Sequence, residues 1–312
     1  MNTEFFWDRM AERADETIKA IKSGTVPDII RFAVHVTGRC NMRCRYCHDP
    51  KNNKVIDREL FRDICRRAGT KGVVHITGGE PMCVPWLEEE IQRQARYTRF
   101  AFNSNLLKLP RLETAKALFR VKTSLDDLDA ERWNSVVGGP HFNTVVANIK
   151  AISRIVKYTS VSFTATHLNA ARFKPFIAFC KEQFPDLYSI SASFFKGNGE
   201  LSLTLGDITL LFDAAEDLNE VSKMVFLETH TQQGNYFPEN LEIPCYLSMT
   251  ERLIDEYGRE FYCSHLYRDR VEAPGNPGND PHCITGCNAR FRKFNRLVHE
   301  ATRKECDLWD GY

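Results

Sequence analysis

Two spacings of apolar residues alternate along most of this chain. Residues 4–23 carry Phe5, Phe6, Met10, Ala14, Ile18 and Ile21 at close to a 3.6-residue period, and Gly24 follows as a stop signal. That pattern predicts an N-terminal helix packed on the rest of the protein, not a domain of its own. An apolar run at 31–37 predicts a first strand. Asp57 is placed to cap a helix with Leu60, Phe61, Ile64 and Cys65 inward, closed by Gly69 or Gly72. The alternation then repeats: strand 72–77, helix 85–97 with Pro85 in its first turn, strand 99–103, helix 112–118 and strand 120–124. A long helix at 142–158, a strand at 159–167, a helix at 171–183 and a strand at 187–195 follow. Strands and helices in this order predict an α/β fold with a parallel sheet and right-handed crossovers.

Beyond Gly197-Asn198-Gly199 the rhythm loosens. Residues 207–218 predict a helix and 224–230 a further strand, whereas 232–244 is rich in Gly, Asn, Pro and Gln and reads as a loop. From Cys245 the composition shifts towards cysteine, and 288–303 predicts a closing helix. Tyr257-Gly258-Arg259, lying between Leu253 and Phe261, predicts a hairpin turn.

Composition adds limits rather than direction. The chain has 312 residues, 43% hydrophobic and 27% charged, with a formal net charge of +1. These are the values of an ordinary soluble globular protein, and nothing global argues for nucleic acid or an anionic membrane as partner. No apolar run approaches the roughly 20 residues that span a bilayer. The N-terminus lacks the basic start and apolar core of a signal peptide, so the expected location is cytoplasmic. Eleven cysteines are many for a reducing compartment, where they serve more often as ligands or catalysts than as crosslinks. Cys65 and Cys180 fall on apolar helix faces and read as core.

The chemistry concentrates in two cysteine groups. Cys40, Cys44 and Cys47 are spaced C-x3-C-x2-C directly after the first predicted strand, with Tyr46 before the third. Clustered thiolates suit an iron–sulfur cluster; the alternative is zinc, which more often takes paired cysteines or a cysteine pair with a histidine pair. One βα unit later, Gly78-Gly79-Glu80-Pro81 follows the second predicted strand. Glycines there let the backbone approach a neighbour closely, and barrel active sites lie at strand C-terminal ends.

These two motifs together resemble the radical S-adenosylmethionine (radical SAM) superfamily, whose core is a partial (βα)6 TIM-like barrel. The resemblance implies that Cys40, Cys44 and Cys47 hold a [4Fe–4S] cluster whose remaining iron binds SAM. One electron then cleaves SAM to a 5′-deoxyadenosyl radical, which takes a hydrogen atom from the substrate. It also implies SAM contacts at Tyr46, Gly78, Gly79, Glu80 and Pro81. Ser104 stands where the family often has T-N-G, Ser124 and Asp126 where it has S-L-D-G, and His167 at the end of the fifth strand. Asp127 or Asp129 reads independently as a helix cap.

The second group, Cys245, Cys263, Cys283 and Cys287, has the ligand count of a structural zinc site. Its C-x9–15-G-x4-C opening resembles the Twitch and SPASM extensions of radical SAM enzymes, and its count resembles Twitch, which implies a second, auxiliary [4Fe–4S] cluster. The expected organisation is an N-terminal helix at 1–30, a radical SAM core at 31–200, a connector at 201–244 and a Twitch-like extension at 245–312. The implied partners are a small-molecule or peptide substrate and a one-electron donor such as flavodoxin or ferredoxin. Cys83 and Cys306 remain as candidate thiol hydrogen donors beside a structural reading. The competing function is a zinc-stabilised binding module without catalysis.

Overall fold

Helix α1 (Thr3–Lys22) and strand β1 (Arg31–His35) open the chain. In this computed structural model the described residues are 3–47, 49, 51–195, 197, 199–222, 225–228, 244–262, 267 and 292–306. Side chains are described within 13–216, 244–262, 267 and 294–302. The chain divides into two units.

The first unit comprises Val34–Glu228 and Asp255–Gly258. Strands and helices alternate in it: α2 (Arg58–Ala68), β2 (Val73–Thr77), α3 (Leu87–Gln94), β3 (Arg99–Asn103), α4 (Leu112–Ala117), β4 (Leu118–Ser124), α5 (Ala130–Val137), α6 (Phe142–Ser153), β5 (Tyr158–Ala165), α7 (Phe173–Gln183), β6 (Ser189–Phe194), α8 (Leu205–Ser222) and β7 (Val225–Glu228). The strands lie in the order β7-β6-β5-β4-β3-β2-β1, and every neighbouring pair from β2 to β7 is parallel. This is the expected α/β fold with a parallel sheet.

Strand side chains alternate between two faces, and here the faces differ sharply. Val74, Ile76, Phe100, Phe102, Val121, Val161, Phe163 and Ile190 are essentially fully buried. Helix residues cover them: Phe61 stacks 6.3 Å from Phe100, and Phe173 and Phe176 lie 5.0 and 4.9 Å from Phe163. The opposite face is polar. Register places Asn103 beside Lys122, Lys122 beside Ser160, Ser124 beside Ser162, and Ser162 beside Ser191. A closed TIM barrel fills that side with bulky branched residues; this open sheet does not.

Local signals explain most element ends. Asp57 accepts a 2.9 Å hydrogen bond from the Leu60 N–H to start α2, and Gly69, at φ 55°, ends it. The predicted 142–158 helix stops at Ser153. The Ile155 and Val156 N–H groups both turn back to the Ile152 carbonyl, because Tyr158 is already paired with Arg120 in the sheet. Helix α5, for which the sequence offered a cap at Asp127 or Asp129 without bounds, is capped by Asp129, which accepts from the Arg132 N–H at 2.9 Å. The 85–97 helix is shorter than expected, and Pro81 rather than Pro85 enters a helical turn, a 3-10 turn over Pro81–Cys83.

The second unit draws on Asn2–Ala33, Thr229–Ile254 and Arg259–Tyr312. Its described elements are α1, β8 (Glu251–Ile254), β9 (Glu260–Phe261) and α9 (Arg292–Cys306). Ala14 joins Tyr246, Leu247, Met249, Phe294 and Val298 in one buried cluster, so α1 closes the same core as α9. Arg13, itself buried, donates to Glu251 Oε1 at 2.9 Å and Thr250 Oγ1 at 2.8 Å. The predicted hairpin is present as the antiparallel β8–β9 pair, with Leu253 opposite Phe261. Among the described residues no helix is long and apolar enough to cross a membrane.

Candidate active site

The loop that carries the first three cysteines is anchored at both ends. Thr37 bridges Val55, and the Gly38 N–H and the Thr37 hydroxyl both donate to the Lys54 carbonyl, at 3.2 and 2.7 Å. Its middle is tied to the end of α5: the Arg43 and Arg45 N–H groups donate to the Val137 and Val136 carbonyls, each at 3.0 Å. Between these anchors Cys40, Cys44 and Cys47 line one cavity of about 300 Å³, shared with Lys51, Thr77, Asn103 and Lys122.

The glycines seat the neighbouring turn on this loop. The Gly79 and Glu80 N–H groups donate to the Thr37 and Arg39 carbonyls, both at 2.7 Å. A Cβ at Gly78, where φ is +115°, would stand 2.6 Å from the Thr37 oxygen, and one at Gly79 would stand 2.2 Å from the Arg39 oxygen. Neither position accepts a side chain without moving backbone. The close approach expected of these glycines is thus made to the cysteine loop itself.

Glu80 is 1% exposed. Its carboxylate accepts from the Met82 N–H at 2.9 Å, the Ser104 hydroxyl at 2.8 Å and the Asn105 N–H at 2.8 Å. Burial raises its pKa, and the three donors offset that in part. Ser104 is correspondingly spoken for, since its oxygen also accepts from the Leu106 N–H at 3.0 Å. Tyr46 is held from behind, its hydroxyl donating to Asp126 Oδ2. The other Asp126 oxygen accepts from the Thr164 N–H at 2.5 Å. Burial pushes Asp126 up to about 6 and Tyr46 well above its usual value.

Of the residues expected at the site, Cys40, Cys44, Cys47, Tyr46, Gly78, Gly79, Ser104 and Ser124 line the first cavity. Asp126 lines an adjoining cavity of about 230 Å³, which shares Tyr46 and Trp133 with the first. Glu80 and Pro81 line neither cavity: Glu80 ties the turn to Ser104 and Asn105, and Pro81 opens the 3-10 turn. His167 lines neither cavity; its Nδ1 pairs with Asp207 Oδ2 at 2.8 Å, and the ring is half exposed. Cys83 is half-buried and lines neither cavity, and burial, then the nearby Glu80 and Cys40, raises its pKa.

Cys245 is described, with its sulfur 3.8 Å from Asn295 Nδ2. Cys263, Cys283 and Cys287 lie outside the described residues, as does the side chain of Cys306. Sequence reading missed Lys51, Asn103, Lys122 and Ser162 as lining. Strand parity held the signal for the last three, because polar residues at inward positions of a parallel strand have little reason to be there otherwise. Trp133 carried none.

The donor set can be tested against the group it would hold. Burial, then the nearby Asp126 carboxylate and the other two sulfurs, pushes the Cys44 thiol up to about 12. Lys51 stands beside these sulfurs: burial lowers its pKa, but Cys47 and Cys40 together carry it above its ordinary value. The three sulfurs line one cavity, and among the described residues no group of three ligands closes on a single metal ion. Three sulfurs arrayed round a 300 Å³ cavity fit a wider, positively charged group, which is what an iron–sulfur core is.

Comparison with known proteins agrees. Residues 34–180 match the family described as Radical SAM superfamily. Over that segment, a little under half of the chain, the protein is similar to the enzymes of this superfamily. Over 130 residues the chain is 31% identical to the "Probable GTP 3′,8-cyclase" of Archaeoglobus fulgidus, covering 39% of this chain and 44% of that protein. Over 138 residues it is 33% identical to the "GTP 3′,8-cyclase" of Heliobacterium modesticaldum, covering 40% and 42%. The matches therefore span less than half the length of these relatives. Among solved structures, Streptococcus suis SuiB bound to its precursor peptide SuiA superposes with a TM-score of 0.65 at 15% identity, covering 87% of this chain and 67% of that one. A structure of anSMEcpe with bound AdoMet superposes at 0.61 and 16% identity, covering 88% and 79%. These two likenesses establish the fold.

Proposed function

We propose that the chain reductively cleaves SAM and passes the resulting radical to a small-molecule or peptide substrate. The observation that carries this reading is the convergence of three cysteines and the glycine turn on one cavity at the C-terminal ends of β1 to β5. A [4Fe–4S] cluster held by Cys40, Cys44 and Cys47 would supply the electron that breaks the sulfur–carbon bond of SAM. The residues of this chain do the rest. Gly78 and Gly79 keep the turn flush against the cysteine loop, leaving that side of the cavity walled by backbone. Ser124 and Asn103 offer hydrogen bonds to a polar ligand at the strand ends. Tyr46, fixed by Asp126, closes one wall and keeps water from it.

A Twitch-like extension with a second cluster at Cys245, Cys263, Cys283 and Cys287 belongs to the same proposal, as does a flavodoxin or ferredoxin as electron donor. Relatives named GTP 3′,8-cyclase add ring closure to oxidation, epimerisation and crosslinking as possible outcomes. Changing Cys40, Cys44 and Cys47 together to Ala is expected to leave the α/β circular dichroism intact and to abolish 5′-deoxyadenosine formation, measured by chromatography after anaerobic reconstitution. Reductive SAM cleavage by the triple variant would overturn the proposal.

A further inference from the structure

The three sulfurs of the cysteine loop are not equivalent. Cys40 accepts from the Met42 N–H at 3.5 Å and from Asn105 Nδ2 at 3.9 Å, and the Lys51 ammonium bonds it as well. Among the described residues no N–H donor bonds the sulfur of Cys44 or Cys47, and the Cys47 thiol points to the Asp49 carbonyl, 4.0 Å away. The Asn105 amide is held in one orientation. Its Oδ1 accepts from the Leu107 N–H at 2.9 Å, which turns Nδ2 towards Cys40 and towards Asn41 Oδ1, at 2.7 Å. The turn behind it carries strain. Leu106, fully buried, has φ 53°, alone among the described non-glycine residues in lying at positive φ. That conformation is pinned on both sides: its N–H donates to Ser104 Oγ at 3.0 Å, and its carbonyl accepts from Asn148 Nδ2 at 2.8 Å. Such strain persists only where the surroundings over-determine it, and it collects at functional sites.

Reducing an iron–sulfur cluster adds negative charge that spreads onto its sulfurs, so hydrogen bonds and positive charge at those sulfurs favour the reduced state. We propose that Asn105 and Lys51 raise the reduction potential of the cluster at Cys40, Cys44 and Cys47 by bonding the Cys40 sulfur. Both act through Cys40 and are positioning residues. One electron is transferred, lost by a flavodoxin- or ferredoxin-class donor and gained at this site. The role rests on the SAM-cleaving reading above and concerns how readily the site takes its electron.

The test is a potentiometric titration of the anaerobically reconstituted protein with dithionite and redox mediators, read by electron paramagnetic resonance of the reduced state. Loss of the signal on changing Cys40, Cys44 and Cys47 together to Ala assigns it to this loop. At a fixed potential the reduced-to-oxidised ratio is expected to fall about 3-fold in Asn105→Leu and about 10-fold in Lys51→Met, the larger fall being a shift of about 59 mV for one electron. Lys51→Arg, which keeps the donor and the charge, should stay near wild type, and iron per chain should be the same in all four proteins. A midpoint that matches wild type or moves upward in Asn105→Leu or Lys51→Met overturns the inference. So does a shift in Lys51→Arg equal to that in Lys51→Met, or a loss of iron shared by Asn105→Leu and Lys51→Met, since either marks a role in holding the loop alone. A wild type that takes up no cluster at this loop would instead strike the underlying reading.

Discussion

Glu80 shows how a motif residue can govern a site it does not line. Its carboxylate gathers the Met82 and Asn105 N–H groups and the Ser104 hydroxyl, fixing the loop after β3 against the loop after β2. Glu80→Ala would leave three buried donors unmet, at about 1–3 kcal/mol each before relaxation. It is expected to lower the thermal midpoint and to weaken SAM binding together. Glu80→Gln, which keeps one acceptor oxygen, should recover part of both in parallel. Unchanged stability with lost binding would mean that the carboxylate touches the ligand instead. Gly79→Ala belongs at this scale too: its Cβ would meet the Arg39 oxygen at 2.2 Å, so the turn and the cysteine loop must part. Iron uptake at Cys40, Cys44 and Cys47, measured as iron per chain, is expected to fall.

Between α2 and α3 charge is added to apolar packing, where Phe61 lies 5.6 Å from Trp86. The fully buried Glu90 carboxylate accepts from Arg58 at 2.7 Å and Arg62 at 3.0 Å. The Arg62 hydrogen bond, then that of Arg58, outweighs burial and holds Glu90 down to about 2. A carboxyl whose folded pKa is depressed adds stability above its unfolded value near 4.3, and that stability is lost as pH falls from there towards about 2. Wild type should therefore lose thermal stability over this window more steeply than Glu90→Gln, compared by calorimetric melts at pH 7 and pH 3. At pH 7 the variant should be less stable by roughly 1.5–3 kcal/mol, the range for charged hydrogen bonds. Equal slopes for the two proteins would show that the network contributes nothing.

Such pairs were not legible in the sequence, because Glu90 and its two arginines lie on different helices and only packing brings them together. Strands and capped helices were legible, since Asp57, Gly69 and the alternating β2 and β3 write their structure locally. Helix α5 was not, because Asp127 and Asp129 are equally good caps on paper. Only tertiary contact gives Asp127 to Arg172, at 2.9 Å, and leaves Asp129 to start the helix. The cysteine loop and glycine turn were readable because their chemistry is rare in composition. The polar layer behind them is made of common residues, and its meaning lies in register.

Across the whole molecule the N-terminal helix belongs to the unit that carries Cys245. Ala14 packs with Tyr246, Met249, Phe294 and Val298, and Arg13 neutralises Glu251 in the same interior. Removing residues 1–22 would expose that cluster and leave Glu251 with Arg31 alone. Burial of each large side chain there contributes about 1.5–3 kcal/mol. The truncated protein is expected to lose the second unit's part of its calorimetric unfolding enthalpy; an unaltered melt would show that α1 adds nothing. Iron analysis is the matching test of the Twitch proposal. About eight irons per chain are expected with both cysteine groups intact and about four in Cys245→Ala, whereas one zinc per chain in place of the second four would reverse that assignment.

The tie between Asn105 and Glu80 is made by a backbone N–H, which every residue except proline possesses. Evolution can therefore rewrite position 105 without slackening the turn, giving up the side-chain bonds to Asn41, the Leu107 N–H and the Cys40 sulfur. The rim of the cavity is open to drift while its frame is not. A saturation library at 105 should yield folded proteins of altered ligand preference at nearly every letter but one.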